Sequence, residues 1–277
     1  MFRKLIIAVL TIAVVWLGFV VFKTPLGDRK WAPEISRLAG VSEKDGMVDF
    51  ANLRNWNWRR GEEAVQSWQQ ASFDISKVSG LRFYIEPFRS YRGIAHTFLV
   101  FEFEGESGYS PIAVSVEARR EVNEKYSVTG GFFNQFELIY IWGTEKDLVS
   151  QSWSIGNPQR GYQINVSKEQ AQFVFRTMVK NTIELEKKPR FYNTLLHNCT
   201  SELGYAINEK APDALPWDIS YILTGFSDTY LAKSGFIDGA VTKETALVKE
   251  QKLHDAVSMA TALDPLAFSK VIKQSTL

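Results

Sequence analysis

An uncharged apolar run from Leu5 to Phe22 follows two basic residues, Arg3 and Lys4, at the N-terminus. As a helix, this run would span roughly 27 Å, close to the hydrocarbon thickness of a bilayer. It has no polar face, unlike an amphipathic helix of a globular protein. The residues that follow it (KTP, 23–25) do not resemble the small-residue site of a cleaved signal peptide. The run therefore predicts an uncleaved transmembrane signal anchor.

The charges around this run predict where the rest of the chain lies. Basic residues before the run favour a cytoplasmic N-terminus, although Lys23, Arg29 and Lys30 weaken this bias. We therefore predict a single-pass protein of a bacterial inner membrane, with its main domain periplasmic or otherwise extracytoplasmic. Lys and Arg total 32 against 31 Asp and Glu. Because a nucleic-acid-binding protein normally has a clustered basic excess, we expect no nucleic-acid partner.

Metal and nucleotide sites are not predicted. The chain has one cysteine and three scattered histidines, which do not have the spacing of metal ligands. No Gly-rich loop follows a strand in the way that a nucleotide phosphate requires. We therefore expect neither a metal nor a cofactor.

Short segments rich in β-branched and aromatic residues begin near residue 77, and Gly and Pro separate them, which is typical of antiparallel strands. They are LRFYIEPF, IAHTFLVFEFE, PIAVSVEARRE, FFNQFELIYIWGT and GYQINV. Helical patterns follow. Ser167 and Gln170 form a capping box before a helix that Pro189 ends, and Asn198 is a good N-cap for CTSELGYAINE. The sequence predicts an α+β fold, with an antiparallel sheet packed against helices.

Five segments follow from these changes in pattern. We predict an aromatic-rich extension, with short helices and an extended stretch, and a C-terminal helical segment whose helix ETALVKEQKLHDAVSMATAL is exposed. Between them lies the α+β domain that carries the candidate catalytic residues. The segments are a cytoplasmic stub (1–4), the anchor (5–22), the extension (23–76), the catalytic domain (77–238) and the C-terminal segment (239–277).

Cys199 is the only cysteine, so it cannot form the internal disulfide that is usual in exported proteins. If Asn198 caps the helix, Cys199 lies in its first turn, where backbone N–H groups and the helix dipole favour a thiolate. The backbone N–H groups of Cys199 and Thr200 would then stabilise an oxyanion. The alternative is a small apolar side chain that fills a helix–sheet interface.

A nucleophilic thiolate needs a base, usually a histidine. His197 is two residues before Cys199 and should point in another direction, and His254 lies in a polar helix. His96 begins the strand HTFLVFEF and would face Cys199 through the fold. We predict that His96 is the base; otherwise it is a strand-end histidine with an ordinary hydrogen bond.

A third group would orient the imidazole. In PIAVSVEARRE, polar residues alternate with apolar ones, so that Ser115 and Glu117 share one face. If this strand pairs with the His96 strand, Glu117 or Ser115 contacts the ring. Tyr91 and Asn198 are alternatives, and the polar face is otherwise only exposed to solvent.

The sequence resembles the periplasmic domain of the bacterial lipoprotein N-acyltransferases called Lnb and their relatives. The resemblance covers roughly Asp49 to Asp238. It lies in VDFANLRNWNW, IAHTFLVFEF, AVSVEARREVNEKYS, GGFFNQFELIYIWGTEKD, FYNTLLHNCTSEL and LPWDISYILTGFSDTYLAKSGFID. The order of the strand histidine before the helix cysteine is also similar to circularly permuted papain-like thiol enzymes, which implies a core of that type.

The resemblance implies a thiol acyltransferase, with Cys199 as nucleophile and His96 as base. The acyl chain would pass from a membrane phospholipid through a Cys199 thioester to an amine, the N-terminus of a lipoprotein in that family. Tyr192 and Asn198 in the YN and NC pairs are predicted substrate contacts. Arg119 and Arg120 are predicted to hold the lipid phosphate, or else are surface salt-bridge partners.

Two other functions remain open. A thiol hydrolase, an amidase or peptidase, would use the same two residues with water as acceptor. An inactive envelope scaffold would instead bind a partner through the aromatic surface of the extension, and its Cys199 would be buried and unreactive. The tryptophans of this region, which otherwise pack over the sheet, are Trp31, Trp56, Trp58 and Trp68.

Overall fold

A computed structural model describes residues 2–89, 91–209 and 213–277, without the side chains of residues 2, 3, 8, 9, 13, 19–21 and 106. Met1 of the predicted stub lies outside the described part, as do the side chains of residues 8, 9, 13 and 19–21 in the predicted anchor. The helices are α1 (Phe2–Phe22), α2 (Val128–Phe132), α3 (Glu145–Ser154), α4 (Lys168–Lys187), α5 (Cys199–Asn208), α6 (Ser227–Lys233), α7 (Lys243–Ala260) and α8 (Pro265–Thr276). The strands are β1 (Val41–Lys44), β2 (Met47–Arg54), β3 (Trp68–Asp74), β4 (Val78–Pro87), β5 (Ala95–Phe103), β6 (Ile112–Arg119), β7 (Glu137–Thr144) and β8 (Arg160–Ile164).

The described strands form one sheet in the order β1-β2-β7-β6-β5-β4-β8, with β3 paired to β2. Neighbours are antiparallel except β2 and β7, which meet in parallel at Arg54 and Gly143. The predicted α+β class and its mostly antiparallel sheet are therefore confirmed. The permuted papain-like core stays a prediction.

Two local predictions were wrong. The extension was expected to hold short helices and one extended stretch, but it contributes β1, β2 and β3 to the same sheet as strands β4 to β8. The segment from Phe132 was expected to be a strand from its start. Instead α2 ends at Phe132, and β7 begins only at Glu137.

The tryptophans of the extension pack on one another and on the sheet. The ring of Trp56 stacks on Trp58, with centroids 5.4 Å apart, and meets Trp68 edge-on at 5.1 Å. The Trp58 indole N–H donates to Asp147 on α3 (2.7 Å). No tryptophan of this group is exposed, so they do not form the open aromatic surface that the scaffold function would use.

Both faces of the sheet are covered. Helices α4 and α5 pack on one face, where Leu99 and Val114 join Phe175 and Leu203 in the larger core. On the other face, Phe98 and Val100 pack with residues of α3, α7 and α8. Helix α7 was expected to be exposed, but it buries Leu253, Ala256, Val257 and Ala260 in this second core.

The predicted anchor corresponds to α1, which is helical from Phe2 to Phe22. No helix within the described residues is long and apolar enough to cross a membrane. The anchor at 5–22 stays a prediction.

A buried ion pair joins the sheet to α3. Arg82 on β4 donates to Glu145 (2.8 Å), and the Tyr84 hydroxyl donates to the same carboxylate (2.6 Å). The side chains of Arg82 and Glu145 are almost wholly buried. Removing one member of such a pair leaves an uncompensated buried charge.

We therefore expect Arg82→Met to lower the free energy of unfolding by about 3–5 kcal/mol. Arg59→Met is the matched control, because Arg59 pairs with Glu62 at the surface, where both side chains are more than half exposed. This substitution should cost at most about 1 kcal/mol. Denaturant unfolding of the detergent-solubilised protein measures both. Equal midpoints for the two variants would contradict the importance of the buried pair.

Candidate active site

A cleft with a volume of about 210 Å³ lies at one end of the sheet, where β4 and β6 end and β5 begins. Strand residues, the N-terminus of α5, α3 and the segment after α5 line it. Its lining includes Glu86, Ile94, His96, Ser115, Glu117, Arg120, Tyr126, Ile155, Tyr192, Thr194, Asn198, Cys199, Ile222 and Thr224.

Asn198 fixes the start of α5. Its side-chain oxygen accepts the N–H groups of Thr200 and Ser201, both at 2.9 Å, and its amide donates to the backbone oxygens of Thr194 (2.9 Å) and Tyr221 (2.7 Å). The predicted N-cap is therefore present, and it also ties α5 to the two segments beside it. Cys199 follows as the first residue of the helix, with its side chain buried at the wall of the cleft.

The pairing of β5 with β6 places His96 beside two polar residues. Phe98 pairs with Ser115, so His96, two residues earlier, lies opposite Glu117 on the same face. His96 Nε2 lies 2.7 Å from Ser115 Oγ and 3.1 Å from Glu117 Oε1, and the serine hydroxyl donates to Glu117 (2.7 Å). Cys199 lines the same cleft, and its thiol donates to the backbone oxygen of Ala95 (3.8 Å), the residue before His96. The structure thus brings Cys199, His96 and Glu117 together.

His96 and Glu117 each shift the pKa of the other toward its charged form. Burial disfavours an imidazolium, but the negative charge of Glu117 and the hydrogen bonds to Cys199 and Glu117 raise the pKa of His96 well above its ordinary value. Burial also opposes ionisation of Glu117, yet the charge and hydrogen bond of His96 and the Ser115 hydroxyl lower its pKa to about 2. Opposite charges at this distance favour both charged forms.

His96 also affects the pKa of the Cys199 thiol. Burial raises the pKa of Cys199, but the hydrogen bond and positive charge of His96 outweigh it, helped by the backbone N–H and the hydroxyl of Thr97, so the pKa is lowered overall. The lowered pKa of Cys199 and the raised pKa of His96 both act in the direction of a thiolate–imidazolium pair.

Sequence reasoning missed three residues of this site. Thr97 lies on the opposite face of β5 from His96, toward α5, where its hydroxyl also meets that of Thr200 (3.0 Å); the alternation of the strand could have identified it. Thr224 holds the start of β5, because its hydroxyl contacts both the N–H (2.7 Å) and the oxygen (2.6 Å) of Ala95. Tyr126 lines the cleft beside Tyr192, and no local pattern indicates it.

Other predicted site residues have mixed outcomes. Tyr192, Asn198 and Arg120 line the cleft. Arg119 does not: its buried guanidinium donates to the backbone oxygens of Ile35 (3.1 Å) and Ser36 (2.6 Å) and packs on Trp31. The predicted phosphate contact of Arg119 is therefore wrong, because the N-terminal segment covers this residue.

The two predicted oxyanion donors, the backbone N–H groups of Cys199 and Thr200, differ in the structure. The Thr200 N–H is already used by the side chain of Asn198. Within the described residues, the Cys199 N–H has no hydrogen-bond acceptor. Of the remaining histidines, His197 contacts Glu202 (2.8 Å) and His254 contacts Asp255 (3.1 Å), so neither takes part in the site.

This arrangement, a cysteine at a helix start with a strand histidine and a carboxylate, defines a class of candidate thiol enzymes. Residues 64–225 match the family described as the Lnb N-terminal periplasmic domain. The match covers more than half of the chain, and the protein belongs to this family. Searches of curated proteins and of solved structures returned no match. Family membership indicates an extracytoplasmic domain and is consistent with an enzyme.

We expect Cys199 to react with iodoacetamide near neutral pH, and His96→Ala to slow this reaction by about tenfold or more, because burial then raises the thiol pKa unopposed. Mass spectrometry across a pH series measures the rate. His254→Ala is the control, since His254 lies outside the cleft. Indistinguishable pH profiles for the native chain and His96→Ala would show that the two residues do not form an ion pair.

Proposed function

We propose that the protein is an extracytoplasmic thiol acyltransferase that moves an acyl chain from a phospholipid, through a Cys199 thioester, to an amine such as a lipoprotein N-terminus. The observation that carries this proposal is a single cleft lined by Cys199, at the start of α5, and by His96, whose ring contacts Ser115 and Glu117. Membership of the Lnb family supports it.

The first half of the reaction forms the thioester. Because Nε2 of His96 contacts Ser115 and Glu117, Nδ1 is the ring nitrogen left to take the proton of the thiol. The Cys199 thiolate attacks the ester carbonyl carbon, and the carbonyl oxygen becomes an oxyanion. When the tetrahedral intermediate collapses, the ester C–O bond breaks and the imidazolium gives its proton to the leaving alcohol, a lysophospholipid.

The second half consumes the thioester. An uncharged amine attacks the thioester carbonyl, the C–S bond breaks, and His96 takes a proton from the attacking nitrogen. The products are an amide and the regenerated thiolate–imidazolium pair. Glu117 stays ionised throughout and stabilises the imidazolium, as a carboxylate does beside the histidine of a hydrolytic triad.

The oxyanion would take its hydrogen bonds from two groups. The Cys199 N–H is the first, and it lies at the positive end of α5. The second is the hydroxyl of Tyr126, which lines the same cleft beside Tyr192. Arg120, which pairs with Glu34 (2.8 Å), lies in the cleft where a phosphate would need a positive charge.

The hydrolase alternative uses the same first half, with water in place of the amine. The scaffold alternative gains support from the burial of Cys199 alone; the lowered pKa of its thiol and its position in the cleft argue against it.

Incubation with a radiolabelled phospholipid tests the proposal. We expect a labelled acyl group on the protein that neutral hydroxylamine releases, and none on Cys199→Ser. Adding an amine-bearing lipopeptide should move the label to that peptide, whereas release mainly as free fatty acid would favour the hydrolase. Absence of any labelled protein together with absence of turnover would overturn the proposal.

We expect Glu117→Gln to lower the pKa of His96 by about 1 to 3 units, since an opposite charge raises it by that amount. The imidazolium is then lost at a lower pH, so the alkaline limb of the pH–rate profile for thioester formation should move to lower pH. Ser115→Ala, which keeps the charge of Glu117, is the control and should shift this limb less. An unmoved limb in Glu117→Gln would show that the carboxylate does not stabilise the imidazolium.

A further inference from the structure

Exposed aromatic side chains are not scattered over this molecule. Among the residues whose side chains the structure describes, the exposed aromatic ones are Phe22, Tyr91, Phe133, Tyr205, Trp217 and Phe226. Phe22 ends α1. The other five lie on segments that form or support the walls of the cleft, and we call these five the aromatic rim.

Two members of the rim lie beside the start of β5. The backbone oxygen of Tyr91 accepts the N–H of Ile94, a cleft residue (3.1 Å). Phe226 follows Gly225, whose N–H donates to Gly93 (3.0 Å). A Cβ at Gly225 would collide with the backbone oxygen of Arg92, so the two segments approach as closely as a glycine permits.

The segment after α5 carries the third member. Trp217, 70% exposed, precedes a turn in which the N–H of Ile222, a cleft residue, donates to Ile219 (2.9 Å). Ile219 is itself exposed, as is Ile155 at the cleft on α3's side. This wall therefore presents several large apolar groups to solvent.

The last two members lie at the side of the cleft that the start of α5 forms. Tyr205 donates its hydroxyl to the backbone oxygen of Leu196 (3.2 Å), between the cleft residues Thr194 and Asn198. Phe133 lies next to α2, whose Gly131 accepts the N–H of Thr194 (3.3 Å).

The apolar helix α1 ends at this same side. The Trp16 indole N–H donates to the backbone oxygen of Phe132 (2.5 Å), and Lys23 Nζ donates to those of Phe133 and Asn134, both at 3.1 Å. The C-terminal end of α1 is thus held against a segment that carries a member of the rim.

The opposite end of the molecule differs. Exposed apolar residues there are aliphatic, such as Met259 in the last turn of α7. Helix α8, which follows, begins at Pro265 beside Thr144, at the end of β7 farthest from the cleft. Scattered aliphatic side chains are normal on a protein surface, whereas a clustered apolar patch marks an interaction site.

We propose that the aromatic rim docks onto a lipid bilayer, with its rings at the level of the headgroups and the mouth of the cleft facing them. Tyrosine and tryptophan favour that layer because their rings are apolar and their N–H and O–H groups are polar. The proposal rests on the proposed function in taking a bilayer phospholipid as the acyl donor. It adds the surface through which that donor enters.

A single labelled cysteine tests the docking. In the full-length chain with Cys199→Ser, either Trp217→Cys, Phe226→Cys or Met259→Cys is labelled with the fluorophore NBD and reconstituted in phosphatidylethanolamine–phosphatidylglycerol vesicles. Met259 is the matched control, since it is 75% exposed against 70% for Trp217. We expect blue-shifted emission at 217 and 226, and severalfold stronger quenching there than at 259 by nitroxide-labelled phospholipid.

Equal, water-like emission and equal quenching at all three positions would overturn the docking. Protection at 217 and 226 that requires higher protein concentration instead of lipid would assign the rim to a second copy of the chain, which also overturns it. The native chain with a short-chain phospholipid, dispersed below its micelle concentration, separates the two proposals. If this lipid gives a Cys199 thioester but no quenching is seen at 217 and 226, the docking is overturned and the proposed function is retained. If quenching is seen but no thioester forms, the proposed function is overturned and the docking is retained.

Discussion

The register of β5 between β4 and β6 is the constraint on which the site depends. It sets His96 opposite Glu86 on one side, and near Ser115 and Glu117 on the other. Because side chains alternate along a strand, a slip of one residue would turn His96 toward α5 and replace it with Ala95 or Thr97. The deep apolar positions on both faces, such as Phe98 and Leu99, prevent this slip, since each would then leave its core.

Given this register, the site is stable only as a unit. Each charged form loses hydration in the cleft, where Cys199 is buried and His96 and Glu117 are partly buried. An imidazolium at His96 offsets two negative charges at once. Loss of His96 would leave Cys199 to protonate, whereas loss of Glu117 would remove only part of the support of the imidazolium. Effects of paired substitutions at these positions should therefore not add, as is usual for groups that act together.

The sequence predicted local features of the fold and the site, but few of the contacts between residues that are distant in the sequence. Alternation predicts strands β4 to β6, and capping chemistry predicts the Asn198 cap. Elimination among the three histidines favours the strand histidine as the partner of Cys199. Strand β3 was missed because exposed, polar positions interrupt its alternation and only Phe73 is buried. Strand β2 does alternate, with Val48 and Phe50 buried between exposed neighbours, so its pattern could have identified it. Arg119 was misassigned for a related reason: the segment around Ile35 that covers it is distant in sequence, and no local pattern shows such a contact.

Under the proposed function, the choice between transfer and hydrolysis depends on which acceptor reaches the proposed thioester, and the proposed docking would affect that choice. His96 could take a proton from either an attacking amine or an attacking water, so acceptor choice depends in part on the exclusion of water from the cleft. If the rim rests on a bilayer, the mouth of the cleft is closed against bulk solvent while acceptors anchored in the same bilayer can enter. A rim that loses its aromatic side chains would then open the cleft to water, and the ratio of free fatty acid to acylated amine would rise even where the rate of thioester formation is unchanged. Docking would in this way determine the reaction as well as the location of the enzyme.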